Sequence, residues 1–255
     1  MHITHVRNAT LLVEAAGLKI LVDPMLGAKG SFGPAPTTVP CAERNPLVDL
    51  PMPLTELLDA DLVVVTHTHP DHWDAAAAAL LPRSTPIVVQ NRQDADELAE
   101  HGFTAMQTME EPIAFGPVTI TRTEGRHGAD DFLAANPGMG LVSGFVLSIE
   151  GEPSLYVAGD TVWTQGVIDA LDGHRPDVVV LNTGEARWAE GDPIIMGAQD
   201  VIRVHEQLPS SQIVAVHMEA LNHCTVSRAD VRALAEAHRI GNRVHVPADG
   251  ERLTF

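Results

Sequence analysis

Four short apolar runs each stop at a polar residue. Val63-Val64-Val65 leads to Thr66-His67, Tyr156-Val157-Ala158 to Gly159-Asp160, Val178-Val179-Val180 to Asn182, and Val214-Ala215-Val216 to His217. Such runs read as strands, and strand ends in layered α/β folds commonly line one mouth, so these polar residues are expected to converge. The chain between them alternates in the same sense. Leu62 to Thr66 and Ile87 to Gln90 read as strands, each followed by a helical segment, Trp73 to Leu81 and Asp94 to His101. The centre is richer in strand, with Val118 to Thr123, Leu141 to Ile149 and Leu155 to Ala158. Strand and helix return toward the end. A helix is expected over Val162 to Leu171, a strand over Val178 to Leu181, helices near Ala198 to Leu208 and Ser227 to His238, and strands over Ile213 to Val216 and Val244 to Val246.

Near the N-terminus, Thr10 to Glu14 and Leu18 to Asp23 read as a hairpin turning through Ala15, Ala16 and Gly17. Asp61-Leu-Val-Val-Val-Thr66 echoes Asp177-Val-Val-Val-Leu-Asn182, as expected of two βα halves packed sheet to sheet with helices outside. No repeat of solenoid length occurs. At 255 residues, one domain spanning 1–255 is expected. Residues 25 to 53 break all periodicity with Gly27, Gly30, Gly33 and scattered prolines. Loops of this length inside a domain are often functional, and this one reads as an active-site lid, with Phe32, Leu47, Val48, Leu50 and Met52 available to cover a ligand.

The chemistry centres on His67-Thr68-His69-Pro70-Asp71-His72. In extended backbone His67 and His69 share a face and can grip one ion, because side chains alternate with period two. Pro70 disfavours helix at His69, and the turn it permits lets Asp71 and His72 face a second ion. Neutral imidazole and carboxylate suit zinc foremost, with manganese or iron acceptable.

This segment resembles the signature loop of the metallo-β-lactamase superfamily, whose pattern continues with a lone His, an Asp after a strand, and a late His. His127 in Gly125-Arg126-His127-Gly128, Asp160 in Ala158-Gly159-Asp160-Thr161, and His217 in Val216-His217-Met218 match in order. The resemblance implies an α/β fold, the four-layer αββα sandwich of metallo-β-lactamase type. It also implies two divalent metal ions: one on His67, His69 and His127, the other on Asp71, His72 and His217, with Asp160 bridging. Asp23, in Leu21-Val22-Asp23-Pro24, resembles a family position that accepts a proton from a ligand imidazole and fixes its tautomer. Thr10-Leu-Leu-Val, Leu21-Val-Asp23-Pro24 and Asp160-Thr161 look most like the L-ascorbate-6-phosphate lactonase-like group. Relatives there often carry Gly-His-Ala where this chain has Arg7-Asn8-Ala9, which places Asn8 at a polar site position.

The implied activity is hydrolysis of a small ester, lactone or amide by a hydroxide shared between the ions. Asp71 would orient the nucleophile, with Asp71 and Asp160 as the catalytic carboxylates. Arg7, Arg126 or Arg187 would meet a phosphate or carboxylate handle, and Asn182, Thr183, Glu185, Glu219, Asn222 and His223 follow strand ends as further contacts. Phosphodiester or phosphonate hydrolysis, a mononuclear iron oxygenase or redox protein, and a non-catalytic metal-binding protein are the alternatives. No Gly-x-Ser-x-Gly elbow or Gly-rich dinucleotide loop suggests covalent or hydride chemistry. The net charge of −18 opposes nucleic acid or an anionic membrane as partner, leaving a small-molecule substrate, with homo-oligomer formation open. Two distant cysteines, Cys41 and Cys224, the lack of a leader-like N-terminus and the lack of a membrane-length apolar run suggest a soluble cytoplasmic protein.

Overall fold

A computed structural model describes residues 1–189 and 191–255. Among the described residues the strands form two seven-stranded sheets. In chain order, the first sheet takes β1 (His2–Arg7), β2 (Thr10–Ala15), β3 (Leu18–Val22), β4 (Leu62–Val65), β5 (Ile87–Val89) and β6 (Met106–Thr108). The second takes β7 (Ile113–Phe115), β8 (Val118–Glu124), β9 (Ser143–Ile149), β10 (Leu155–Val157), β11 (Val178–Asn182), β12 (Gln212–Val216) and β13 (Val244–His245). The last strand, β14 (Arg252–Thr254), returns to pair with β1 and closes the first sheet's edge.

Each sheet starts antiparallel and becomes parallel, at β3 to β4 in the first and at β10 to β11 in the second. The echoed segments at 61–66 and 177–182 therefore occupy corresponding places. Their leading aspartates do the same work: Asp61 Oδ2 accepts from the Lys19 amide at the start of β3, and Asp177 Oδ2 from the Ser154 amide before β10.

The unbroken valine runs follow from burial on both faces, the condition of parallel strands covered by helices. Along β4, Leu62 and Val64 enter the core between the sheets, while Val63 and Val65 pack under the outer helices. In β11, Val178 and Val180 face inward and Val179 and Leu181 outward. The helices outside the first sheet are α1 (Leu54–Leu58), α2 (Ala75–Leu80) and α3 (Arg92–Glu100). After the short α4 (Asp130–Ala135), the second sheet is covered by α5 (Gln165–His174), α6 (Ala198–Gln207) and α7 (Arg228–Ala237). The four-layer αββα expectation is met. No helix of the described residues is long and apolar enough to cross a membrane.

Several boundaries move from their expected places for local reasons. The helix expected from Trp73 starts at Ala75, because Asp74 caps it by accepting from the Ala77 amide and also holds the Gly27 amide. The helix expected from Val162 starts at Gln165, because the Val162 amide is tied to the Arg126 carbonyl. The strand expected from Leu141 starts at Ser143, since the Leu141 carbonyl accepts from the buried Gln90 side chain. The strands β1, β6, β7 and β14 and the short helices α1 and α4 are additional to the sequence reading.

Residues 25–53 hold no strand or helix, as expected, but they are clamped to the body. Arg7 is fully buried and donates to the carbonyls of Val48, Met25 and Gly27. Asn222 receives the Ala35 amide and the Asn45 side chain, and donates to the carbonyls of Ala35 and Cys41. Leu50 and Met52, expected over a ligand, pack instead against the outer core of the first sheet. Arg7, expected as a handle for substrate, is thereby a fastening of this segment.

Replacing Arg7 with Met keeps much of its apolar stem but leaves three carbonyls without their charged donor. Hydrogen bonds to charged groups contribute roughly 1.5–3 kcal/mol each, without strict additivity, so a loss of about 3 kcal/mol is expected from chemical denaturation. A loss under about 1 kcal/mol would show that the clamp is dispensable.

Candidate metal centre

The polar residues after β3, β4, β10 and β12 meet at one end of the sandwich. His67, His69 and His127 bring one ligand atom each within 4.8 Å of one another, and Asp71, His72, Asp160 and His217 form a second such group. All seven residues singled out in the sequence are thus brought together, and in the expected division. Asp160 lies between the groups: its Oδ2 is 3.2 Å from His72 Nε2 and 3.8 Å from His127 Nε2, and its Oδ1 is 3.6 Å from His217 Nε2. It does not cap a helix, since α5 begins after Thr164. Asp71 Oδ2 stands 3.2 Å from His217 Nε2 and 3.7 Å from His72 Nε2.

Backbone geometry aims these groups. Asp23 and His217 leave their strands with positive φ, 45° and 62°, conformations that carry strain in non-glycine residues and concentrate at functional sites. Asp160 follows Gly159, where φ is 68° and a Cβ would meet the Ser143 carbonyl at 2.5 Å, so only glycine fits the turn. The His217 amide donates to the Asn8 carbonyl, and Asn8 Nδ2 to the Asp71 carbonyl. Asn8 therefore braces two residues of the cluster.

A further ring of contacts orients the imidazoles. Asp23 Oδ2 accepts from His72 Nδ1 at 2.8 Å and from the Thr66 hydroxyl, while its Oδ1 accepts from the Thr66 amide. His127 Nδ1 donates to the Ile194 carbonyl at 2.9 Å. Asn182 Nδ2 donates to Asp160 Oδ1 at 2.7 Å. Cys224 Sγ lies 3.7 Å from His217 Nδ1. Asp23 and Asn182 were visible as polar residues ending strands. The Ile194 carbonyl and Cys224 carried no signal, one being backbone and the other arriving through an irregular turn.

These outer contacts leave the Nε2 atoms facing inward. That of His67 is buried with no hydrogen-bond partner among the described residues, and that of His72 is buried with only the Asp160 carboxylate beside it at 3.2 Å, a costly arrangement unless a cation is held there. The donor set of imidazoles and carboxylates suits zinc or a similar divalent ion. Without a metal, protonation across the cluster is uneven. Burial and the neighbouring His72 and His69 push His67 well below the ordinary histidine value, and burial brings His127 down to about 4 against the pull of Asp160. For His72 burial is again the largest effect, but Asp160, Asp23 and Asp71 together overcome it and raise the group to about 10. His217 is likewise held well above its usual value: burial opposes, while Asp160 and Asp71 prevail. The two carboxylates benefit in return. Burial opposes their charge, yet His72 and His217 hold Asp71 and Asp160 below the usual carboxylate range.

The cluster opens into a cavity of about 220 Å³. Phe32, Pro34 and Pro36 from the 25–53 segment form one wall, and Met139, Trp188, Ile194 and Leu221 others, with His69, Asp71, His127, Asp160 and His223 at its polar side. Of the five apolar residues expected to cover a ligand, Phe32 alone lines this cavity. Glu185 pairs with Arg187 at 2.7 Å, and half-buried Arg126 pairs with exposed Asp130.

Residues 19–218 match the family model described as a beta-lactamase superfamily domain. The protein YddR of Bacillus subtilis, of the UPF0173 group, is 39% identical over the whole of both chains. A crystal structure of an isothiocyanate hydrolase from Delia radicum gut bacteria superposes with a TM-score of 0.96 at 40% identity, covering 100% of this chain and 99% of that one. A possible metal-dependent hydrolase from Veillonella parvula gives 0.97 at 38% identity, with the same coverage. The chain belongs to the metallo-β-lactamase superfamily. Within it, the chain groups with the metal-dependent hydrolases.

Two measurements test this centre. His72 and His217 bind protons more tightly folded than as free histidines, so at pH 7 the metal-free protein holds both charged, and a metal must displace those protons. Zinc titration calorimetry in buffers of different ionisation enthalpy should show release of about two protons at pH 7, and apparent affinity should rise with pH up to about 10, above which His72 is mostly neutral before the metal binds. Release of none would contradict the assignment of these two imidazoles. Separately, Asp23→Asn preserves a residue tolerant of positive φ but removes the carboxylate behind His72, and should weaken metal binding by roughly 10–100-fold. Unchanged affinity would reduce Asp23 to a strand terminus.

Proposed function

We propose that the protein is a dinuclear metal-dependent hydrolase of small, neutral electrophiles carrying an apolar substituent, with isothiocyanates as the substrate class. The observation that carries this reading is the character of the cavity. Among its described lining residues there is no Lys or Arg, and the wall facing the His and Asp cluster is built from Phe32, Pro34, Pro36, Met139, Trp188, Ile194 and Leu221. At about 220 Å³ it is below the roughly 300–1,000 Å³ typical of pockets for drug-sized ligands. The full-length similarity to a protein named as an isothiocyanate hydrolase supports the same class.

Divalent ions held by the two groups, zinc foremost, would supply Lewis acidity that acidifies water and polarises the electrophile. The chain's own residues do the rest. Asp160, facing both groups, sets their separation, and Asp71 remains ionised at the cavity side, where it can accept a hydrogen bond from the attacking water and orient it. The apolar walls hold the substituent and thin the water around the reacting carbon. A phosphorylated lactone, the substrate suggested by the lactonase-like resemblance, would need a cation for its phosphate. Arg7 is fastened to carbonyls, Arg187 is paired with Glu185 and Arg126 with Asp130, so none is offered to that role.

The test is a panel on zinc-loaded protein: an allyl and a phenethyl isothiocyanate, an uncharged lactone and ester, a phosphorylated lactone and a phosphodiester. Amine release from the isothiocyanates should dominate by at least about tenfold in kcat/KM, corresponding to roughly 1.4 kcal/mol in transition-state binding. Turnover of the phosphorylated lactone with no amine release would overturn the reading.

A further inference from the structure

His223 is a histidine at the cavity that neither metal group uses. It lines the space beside His69, Asp71, His127 and Asp160, yet it is only 8% exposed and its Nδ1 is buried without a hydrogen-bond partner. Its backbone is fixed on both sides. The Arg187 amide donates to its carbonyl, the preceding Asn222 is locked into the 25–53 segment by its side chain, and the amides of Thr225 and Val226 shortly after it donate to Gly184. A titratable ring rigidly mounted in the wall of the cavity, with one nitrogen buried and unpartnered among the described residues, costs stability, and such a cost is characteristic of a ring that serves the site. The charges of Asp71, His217 and Asp160 are near enough to act on it, and burial lowers its proton affinity, so the ring is neutral and can both accept and donate.

We infer that His223 is a catalytic residue that carries a proton from the attacking water to the departing nitrogen of the substrate. The inference rests on the isothiocyanate reading above. Water oxygen bonds to the central carbon of R–N=C=S while one of its protons passes to His223. The π pair of the C=N bond moves onto nitrogen, which takes a proton from His223 and yields the thiocarbamic acid R–NH–C(S)OH. Cleavage of the remaining C–N bond, with the hydroxyl proton going to nitrogen, gives R–NH₂ and O=C=S. The sum is R–NCS + H₂O → R–NH₂ + COS, and His223 ends as it began. The cavity presents no Lys or Arg among its described lining residues to perform this transfer.

The experiment compares wild type, His223→Ala and His223→Gln, all zinc-loaded. Three measurements are made: metal content, kcat and KM with phenethyl isothiocyanate and an uncharged ester, and rescue of the Ala variant by added imidazole. Proton transfer by a positioned side chain contributes roughly 10²–10⁴-fold, so both variants should lose at least about 100-fold in kcat with metal content unchanged and KM altered less than about threefold. Free imidazole should restore part of the rate to His223→Ala. A kcat within about threefold of wild type, or a loss confined to KM, overturns the inference, because a packing or contact role would give those results. Loss of metal in both variants also overturns it, by making His223 part of the metal framework. If wild type releases no amine from isothiocyanates but cleaves the ester, the substrate reading fails. The proton-transfer role is then supported if kcat for the ester falls with imidazole rescue, and overturned if it does not.

Discussion

The centre depends on one buried carboxylate that ties strand ends to a ligand ring. Asp23, at the end of β3, receives both the amide and the hydroxyl of Thr66 at the end of β4, and on the same oxygen as that hydroxyl it holds His72 Nδ1. A carboxylate accepting three donors out of contact with water is strongly favoured over one left unpaired. The arrangement joins two neighbouring strands at the level where the metal-binding loop departs, so the sheet's geometry is passed directly to the imidazole. Asp160 follows β10, the strand of the second sheet that corresponds to β3, but points into the cluster instead of behind it. Two similar halves thus supply two carboxylates in related places. One orients a ligand and the other stands between the ligand groups.

That division explains the uneven protonation. His67 and His127 sit away from the densest negative charge, and burial keeps them neutral. His72 and His217 sit among Asp71, Asp160 and, for His72, Asp23, and in the absence of cations they carry the positive charge those carboxylates require. Protons and metal ions therefore answer the same electrostatic need. The cluster is built around a charge it cannot supply permanently itself, and the inward Nε2 of His67 accordingly finds no hydrogen-bond partner among the described residues.

Much of this was legible because strand residues alternate faces and functional groups gather at strand ends. The valine runs at 63–65 and 178–180 announced strands, and the echo between their segments announced two matched halves. His67-Thr68-His69-Pro70-Asp71-His72 was legible because local spacing alone places its ligands. The later partners, His127, Asp160 and His217, could be matched by order in the family pattern, but only the folded sandwich brings them within reach. Elements whose existence depends on tertiary partners were harder to see. β14 pairs with β1 across almost the full length of the chain, and β6 and β7 are three-residue edges with no distinct pattern of their own. Arg7 shows the same limit: its composition suggests a substrate handle, and only the fold reveals three carbonyls surrounding it.

The 25–53 segment changes meaning for that reason. A Gly- and Pro-rich stretch beside an active site reads naturally as a lid, and a lid requires that closure be cheap. Here the first turn is held by Arg7 through Met25 and Gly27 and by Asp74 through the Gly27 amide, while its later part is held by Arg7 through Val48. Between these points Asn222 grips Ala35, Cys41 and Asn45. Swinging the segment away would break several buried hydrogen bonds together, each worth roughly 0.5–1.5 kcal/mol and those to Arg7 more. Phe32 and the prolines at 34 and 36 therefore stand in the cavity wall on a segment tied to the body at several points. A wall set in advance loses little entropy when a ligand binds, which suits a small substrate that has few contacts with which to drive closure.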